Sequence, residues 1–130
     1  MFINAVSAWL SRRTFWKLCL AIELLVLLWA GFKSEPFPQY IPDMDKWLHG
    51  LAFAVATLTG LFAVTHRWQW WAVVVVMILL GLGIEMGQDL FLPGRTFDWG
   101  DLFVDIIGVA LAMVSWWLLN TLVVKRQLVV

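Results

Sequence analysis

Four apolar stretches of about twenty residues each constrain this chain more than any other feature of it. Twenty residues at 1.5 Å of rise per residue cross roughly 30 Å of hydrocarbon. The runs extend from about Thr14 to Phe32, Trp47 to Thr65, Trp70 to Phe91 and Leu102 to Val124. Backbone groups in lipid must be satisfied within the segment, so each run is expected to be a helix. A barrel would need alternating strands, and the chain has no alternation, internal repeat or low-complexity tract. Composition agrees: 62% of the 130 residues are hydrophobic and 14% are charged. The expected fold is therefore one all-α membrane domain over residues 1–130, with four transmembrane helices. A short interfacial stretch, "MFINAVSAWLS", precedes the first.

The first run does not read as a cleaved signal peptide. Glu23 interrupts its apolar region, and no small-x-small cleavage site follows. The single cysteine, Cys19, lies inside the same run and packs as a small apolar residue.

Nine basic and nine acidic residues balance overall, but they are segregated along the chain. Arg12, Arg13, Lys17, Arg67, Lys125 and Arg126 fall on one side of the four-span topology, and only Lys33, Lys46 and Arg95 on the other. The positive-inside rule puts both termini in the cytoplasm. Trp29, Trp47 and Trp99 then fall near the outer boundary, and Trp9, Trp68, Trp70 and Trp71 near the inner one, where amphipathic rings prefer to sit. Every acidic residue except Glu23 lies on or near the outer side. Carboxylates contribute little to orientation, so this segregation points to polar work at the outer face, where the longer connections also lie.

Helical spacing gathers the outer residues into faces. Asp45 and Lys46 share a face with His49, and Ala52, Ala56 and Gly60 continue that stripe in small residues that permit close helix approach. Glu85, Gln88 and Asp89 form a second face. Gly83 and Gly87 form a small-xxx-small pair beside it. Asp98, Asp101 and Asp105 form a third face, continued by Gly108, Ala112 and Ser115. Asp98 also suits an N-cap, and acids suit the first helical turn, but Asp105 lies too deep for either account. Ionisable groups at membrane depth look into a polar interior or pair with one another. The expected site is thus an outward pocket of His49, Glu85, Asp101 and Asp105 as catalytic candidates, with Lys46, Gln88, Arg95 and Asp98 as binding groups. Glu85, Asp98, Asp101 and Asp105 are also candidate oxygen ligands for a divalent cation such as magnesium. Glu23 is expected to hydrogen-bond Thr57 or Thr59.

The ordered set Lys46-x-x-His49, Glu85-x-x-Gln88, Arg95-x-x-Asp98-x-x-Asp101 and Gly108 resembles the VanZ-like family of small bacterial membrane proteins, named for teicoplanin resistance. The resemblance runs from about Asp45 to Ala112. The family pattern has asparagine where this chain has Asp105, which adds a carboxyl to the pocket. The resemblance implies a multi-pass protein of the bacterial cytoplasmic membrane, serving the cell envelope, with a link to resistance against lipid-tailed glycopeptides.

Three functional readings follow. In the first, the pocket is a membrane enzyme's: Lys46 and Arg95 bind phosphate of a lipid-linked envelope substrate, and His49 acts as general acid or base. No G-x-S-x-G motif is present, and Thr96 is the only nearby hydroxyl, so an acyl-serine route is disfavoured. In the second, the pocket binds or shields a lipid headgroup or lipoglycopeptide without chemistry. In the third, the chain is a small transporter subunit with Glu23 as a relay. Membrane lipids are partners in all three, and nothing in the chain points to nucleic acid.

Overall fold

The computed structural model describes residues 13–34, 38 and 40–128, with side chains described as far as Leu122. The interfacial stretch expected at the N-terminus lies outside these residues. Four helices follow in order: α1 (Arg13–Gly31), α2 (Met44–Ala63), α3 (Arg67–Phe91) and α4 (Trp99–Leu128). Each is long and apolar enough to cross a membrane, and the described residues contain no strand. Helices α2, α3 and α4 each start three residues earlier than apolarity alone suggests. The Gln69 side chain accepts the backbone N–H groups of Thr65 and His66, each at 2.9 Å, and so closes the start of α3. Asp98 closes α4 in the same way, its Oδ1 accepting the Gly100 N–H at 2.7 Å.

Helix α2 is the centre of the bundle. It packs against the other three helices, whereas α1 makes no close contact with α4. In the most apolar window of α2, 44% of residues are buried, against 11% in α1, so α1 is the peripheral helix. The core joins Leu27 of α1, Phe53 and Ala56 of α2, Met77 and Ile84 of α3, and Val109 of α4. Outward-facing side chains are apolar on every helix, including Leu25, Leu51, Leu79 and Leu111. Such a belt suits hydrocarbon and would be a liability in water.

The tightest crossing is α2 against α4. A Cβ on Gly108 would sit 2.2 Å from the Gly50 carbonyl oxygen and 3.2 Å from the Ala54 nitrogen. A Cβ on Gly50 would sit 2.5 Å from Val104. Two glycines facing each other let the two backbones touch, and this sets how closely the ionisable faces of α2 and α4 approach.

The bundle has two distinct ends. At the α2–α3 turn, stacked and edge-to-face rings run from Trp16 through Phe62 and Trp116 to Trp70, with centroids 4.7, 4.9 and 5.8 Å apart. Each ring comes from a different helix, so the chain ties all four together. At the other end lie the α1–α2 and α3–α4 connections and nearly all the acids. We call this the loop end. Trp47 and Trp99 are exposed there, as Trp68 and Trp71 are at the turn end.

Three expectations about packing change. Gly83 faces open space, while Gly87 lies under Phe32, where an added Cβ would approach the ring to 2.4 Å. The two glycines therefore do not form one packing surface. Ser115 is exposed rather than inward; its hydroxyl is already satisfied by the Leu111 carbonyl at 2.8 Å, so it needs no interior partner. Gln88 is 2% exposed, and its amide donates to the Gly31 carbonyl at 2.8 Å. That carbonyl belongs to the last turn of α1, which has no partner within its own helix. Gln88 thus fastens the end of α1 to α3. Gln88→Met should lower the unfolding free energy in detergent by about 1–3 kcal/mol, the cost of a buried acceptor left alone. Thermal unfolding measures it, and an unchanged midpoint would remove this role.

Candidate functional site

The loop end is built on a network of carboxylates and one ammonium. Lys46, in the first turn of α2, donates to both Asp98 and Asp101, the latter at 2.8 Å. Asp98 sits just before α4 and Asp101 in its first turn. Its side chain is 10% exposed, that of Lys46 26%, and that of Asp98 47%. The lysine therefore pairs one acid near water and one in the interior. The Lys46 ammonium, helped by the Gly100 N–H, holds the Asp98 carboxyl below the usual carboxylate range.

The α3–α4 connection is fastened from below. Glu85 Oε2 accepts the Asp98 N–H at 3.1 Å, and Asp89 Oδ1 accepts the Phe97 N–H at 3.2 Å. These two acids are four residues apart on the last turns of α3, so one helix face holds two successive amides of the loop. The loop itself turns at Pro93-Gly94. Gly94 has φ +81°, and the Arg95 N–H returns to the Leu92 carbonyl at 3.2 Å. Proline followed by a residue at positive φ is a type II turn, and glycine adopts that φ without steric cost. The turn delivers Arg95 to the mouth of a cleft between α1 and α2.

That cleft was not foreseen from the sequence. Its volume is about 490 Å³. Val26 and Leu27 of α1 and Leu48, Ala52 and Val55 of α2 form apolar walls, with Asp45, His49 and Arg95 at the loop end. Glu23 stands at the far end, where Thr59 donates to its Oε1 at 3.1 Å. The expected Glu23 partner is therefore Thr59. Leu51 and Val55 are 62% and 46% exposed, so the cleft opens along the side of the bundle that lipid would cover.

His49 joins the cleft to the interior. Its ring lines the cleft, while its buried Nδ1 lies 3.9 Å from Asp105 Oδ1. Asp105 is 2% exposed and lies over Gly81, where an added Cβ would meet its Oδ2 at 3.2 Å. Glu85 is completely buried. Both Asp105 oxygens, Glu85 Oε1 and His49 Nδ1 make no hydrogen bond within the described protein. Groups of this kind are costly in the interior unless a partner meets them, so this is the chemically unspent part of the site.

The geometry divides the sequence candidates. Lys46, Asp98 and Asp101 form one saturated cluster. His49, Asp105 and Glu85 lie deeper, and Arg95 stands with His49 at the cleft. The proposed magnesium set does not fit. Among the described residues no three His, Cys, Asp or Glu side chains stand where they could share a metal ion. The Lys46 ammonium donates to both Asp98 and Asp101. Gln88 is turned away to α1. Gly50 and the cleft walls are what sequence reasoning missed. Gly50 lies next to His49 and marks the helix crossing, whereas the walls read as ordinary lipid-facing side chains.

The comparisons agree with this architecture. The VanZ/LLP1 family model matches residues 2–120. An uncharacterized protein of the fission yeast Schizosaccharomyces pombe is 32% identical over 115 residues, covering 86% of this chain and 68% of the relative. No solved structure gives a significant match. A match along nearly the whole chain, on a bundle of four membrane-length helices, makes this chain a multi-pass membrane protein of the VanZ/LLP1 family.

Proposed function

We propose that this protein handles a lipid-linked amphiphile of the cell envelope, with the apolar chain in the α1–α2 cleft and the head at His49, Arg95 and Asp45. The observation that carries this reading is the cleft: apolar walls, open to the lipid side, ending in a guanidinium, a carboxylate and an imidazole. Arg95 suits an anionic head, phosphate or carboxylate. His49 is the group for acid–base chemistry on that head, with the Asp105 carboxyl 3.9 Å behind its Nδ1. Asp101 and Asp98 then serve by holding Lys46, and Glu85 by holding the Asp98 amide. The charge pattern supports an orientation with both termini in the cytoplasm and the cleft mouth outward. In a bacterial cytoplasmic membrane that mouth faces the envelope.

A lipid-tailed glycopeptide such as teicoplanin joins an apolar chain to a polar head, so the resistance link fits the same cleft. A second reading has a specific observation behind it. Among the described residues no serine, threonine or cysteine lines the cleft, so no hydroxyl or thiol nucleophile is at hand there. A binder or shield needs none.

Wild type and His49→Asn in lipid nanodiscs, incubated with extracted envelope lipids or with teicoplanin and followed by mass spectrometry, separate these readings. The enzymatic reading expects one species consumed by wild type and retained, still bound, by the variant. Binding by both proteins without turnover leaves the shield. No amphiphile bound by either protein would overturn the proposal.

A further inference from the structure

Among the described residues, Glu23 is the one acidic residue that lies away from the loop end. It lies in the middle of α1, among side chains otherwise suited to hydrocarbon. An ionisable side chain at that depth is costly and calls for a partner. Half of the demand is met: Thr59 Oγ1 donates to Oε1 at 3.1 Å. Oε2 is buried and makes no hydrogen bond within the described protein. Both Glu23 and His49 line the same cleft, and nothing else polar stands between them along its walls. The cleft is therefore polar at both ends and apolar in the middle.

The spacing of the two ends can be read along α2. His49 and Thr59 are ten residues apart, about 15 Å of helix. That is roughly half of the ~30 Å hydrocarbon thickness. A plain acyl chain lying in the cleft would lay methylenes against the Glu23 side chain and offer its carboxyl no partner. A hydroxyl at that depth would satisfy it, since a hydroxyl donates and accepts and so serves either form of a carboxyl.

We infer that the cleft selects an amphiphile whose chain carries a hydroxyl about 15 Å below its anionic head, with Glu23 as the group that recognises it and Thr59 as the residue that positions Glu23. This rests on the amphiphile reading above and adds the chemistry of the chain. The head is met by Arg95, the middle of the chain by Val26, Leu51 and Val55, and the hydroxyl by the Glu23 carboxyl.

Competition between fatty acids in nanodiscs, read by native mass spectrometry, tests it. The probes are stearate, 12-hydroxystearate and 2-hydroxystearate. Wild type should favour 12-hydroxystearate over stearate by about fivefold, the value of one net hydrogen bond of about 1 kcal/mol. The 2-hydroxy isomer, with its hydroxyl beside the head, should gain nothing. Glu23→Gln keeps an amide at the site and should keep the preference. Glu23→Leu should lose the preference for 12-hydroxystearate over stearate. Equal binding of stearate and 12-hydroxystearate by wild type would overturn the inference while leaving the amphiphile reading intact. A preference that survives in Glu23→Leu would overturn it too. Failure of wild type to bind any of the three would overturn both. The positional isomers are compared on wild type, so the inference stays falsifiable even if the leucine variant does not fold.

Discussion

Gly108→Ala is expected to destabilise the protein by about 3 kcal/mol, at the upper end of what one inserted methyl costs in a packed interior. The methyl would sit 2.2 Å from the Gly50 carbonyl oxygen. The obstacle is backbone, so no side-chain rotation relieves it, and α2 and α4 must separate. Separation draws Lys46 away from Asp101 and His49 away from Asp105, so the variant should lose amphiphile binding along with stability. Gly83→Ala is the control. Nothing lies within 4 Å of its added Cβ, and alanine favours a helix, so its midpoint should not fall. Thermal unfolding of both variants in detergent decides the matter. An unaffected Gly108→Ala would mean that the crossing is not where the bundle is held.

Lys46→Met has the second large effect. It leaves Asp101, 7% exposed, without its cation while Asp98 stays close by. Breaking a buried pair on one side costs about 3–5 kcal/mol, and the water around Lys46 and Asp98 places the expected loss near the lower figure. Adding Asp98→Asn and Asp101→Asn to Lys46→Met should recover most of it, because three neutral groups leave no charge stranded. A triple variant as unstable as the single one would show that Lys46 matters for something other than these carboxylates. The pH dependence has a definite sign. The folded-state pKa of Asp98 lies below its ordinary 3.8, so its contribution is fully present above about pH 4 and is lost as pH falls through the folded value. The stability gap between wild type and Lys46→Met should therefore narrow below pH 4.

The fold was legible because membrane-length apolar runs leave few alternatives. The membership of the polar end was legible from spacing: residues three and four apart share a helix face, and that brings together Lys46, His49, Glu85, Asp98, Asp101 and Asp105. What spacing does not carry is which pairs form across helices. Lys46 meets Asp98 and Asp101 because α2 and α4 touch at Gly50 and Gly108, and that crossing depends on three-dimensional packing. Gln88 looked like a ligand group because it shares a face with Glu85. Its partner is the carbonyl end of α1, a helix whose position no local pattern reveals. The α1–α2 cleft was illegible for a simpler reason. A valine or leucine that lines a groove and one that faces bulk lipid look alike in sequence. Glu23 was the only written sign that α1 had an interior side.

An acyl chain is expected to occupy that cleft. A phospholipid bearing a diazirine on its acyl chain, incorporated in nanodiscs with wild-type protein and photolysed, tests it through peptide mapping of the adducts. Ile22, Val26, Leu51 and Val55 flank the cleft, while Leu79, Leu111 and Trp117 are comparably exposed elsewhere on the bundle. Adducts concentrated on the first group, and displaced by excess unlabelled lipid, are the expected result. Adducts spread evenly over both groups would mean that the cleft is ordinary lipid-facing surface and holds no chain of its own.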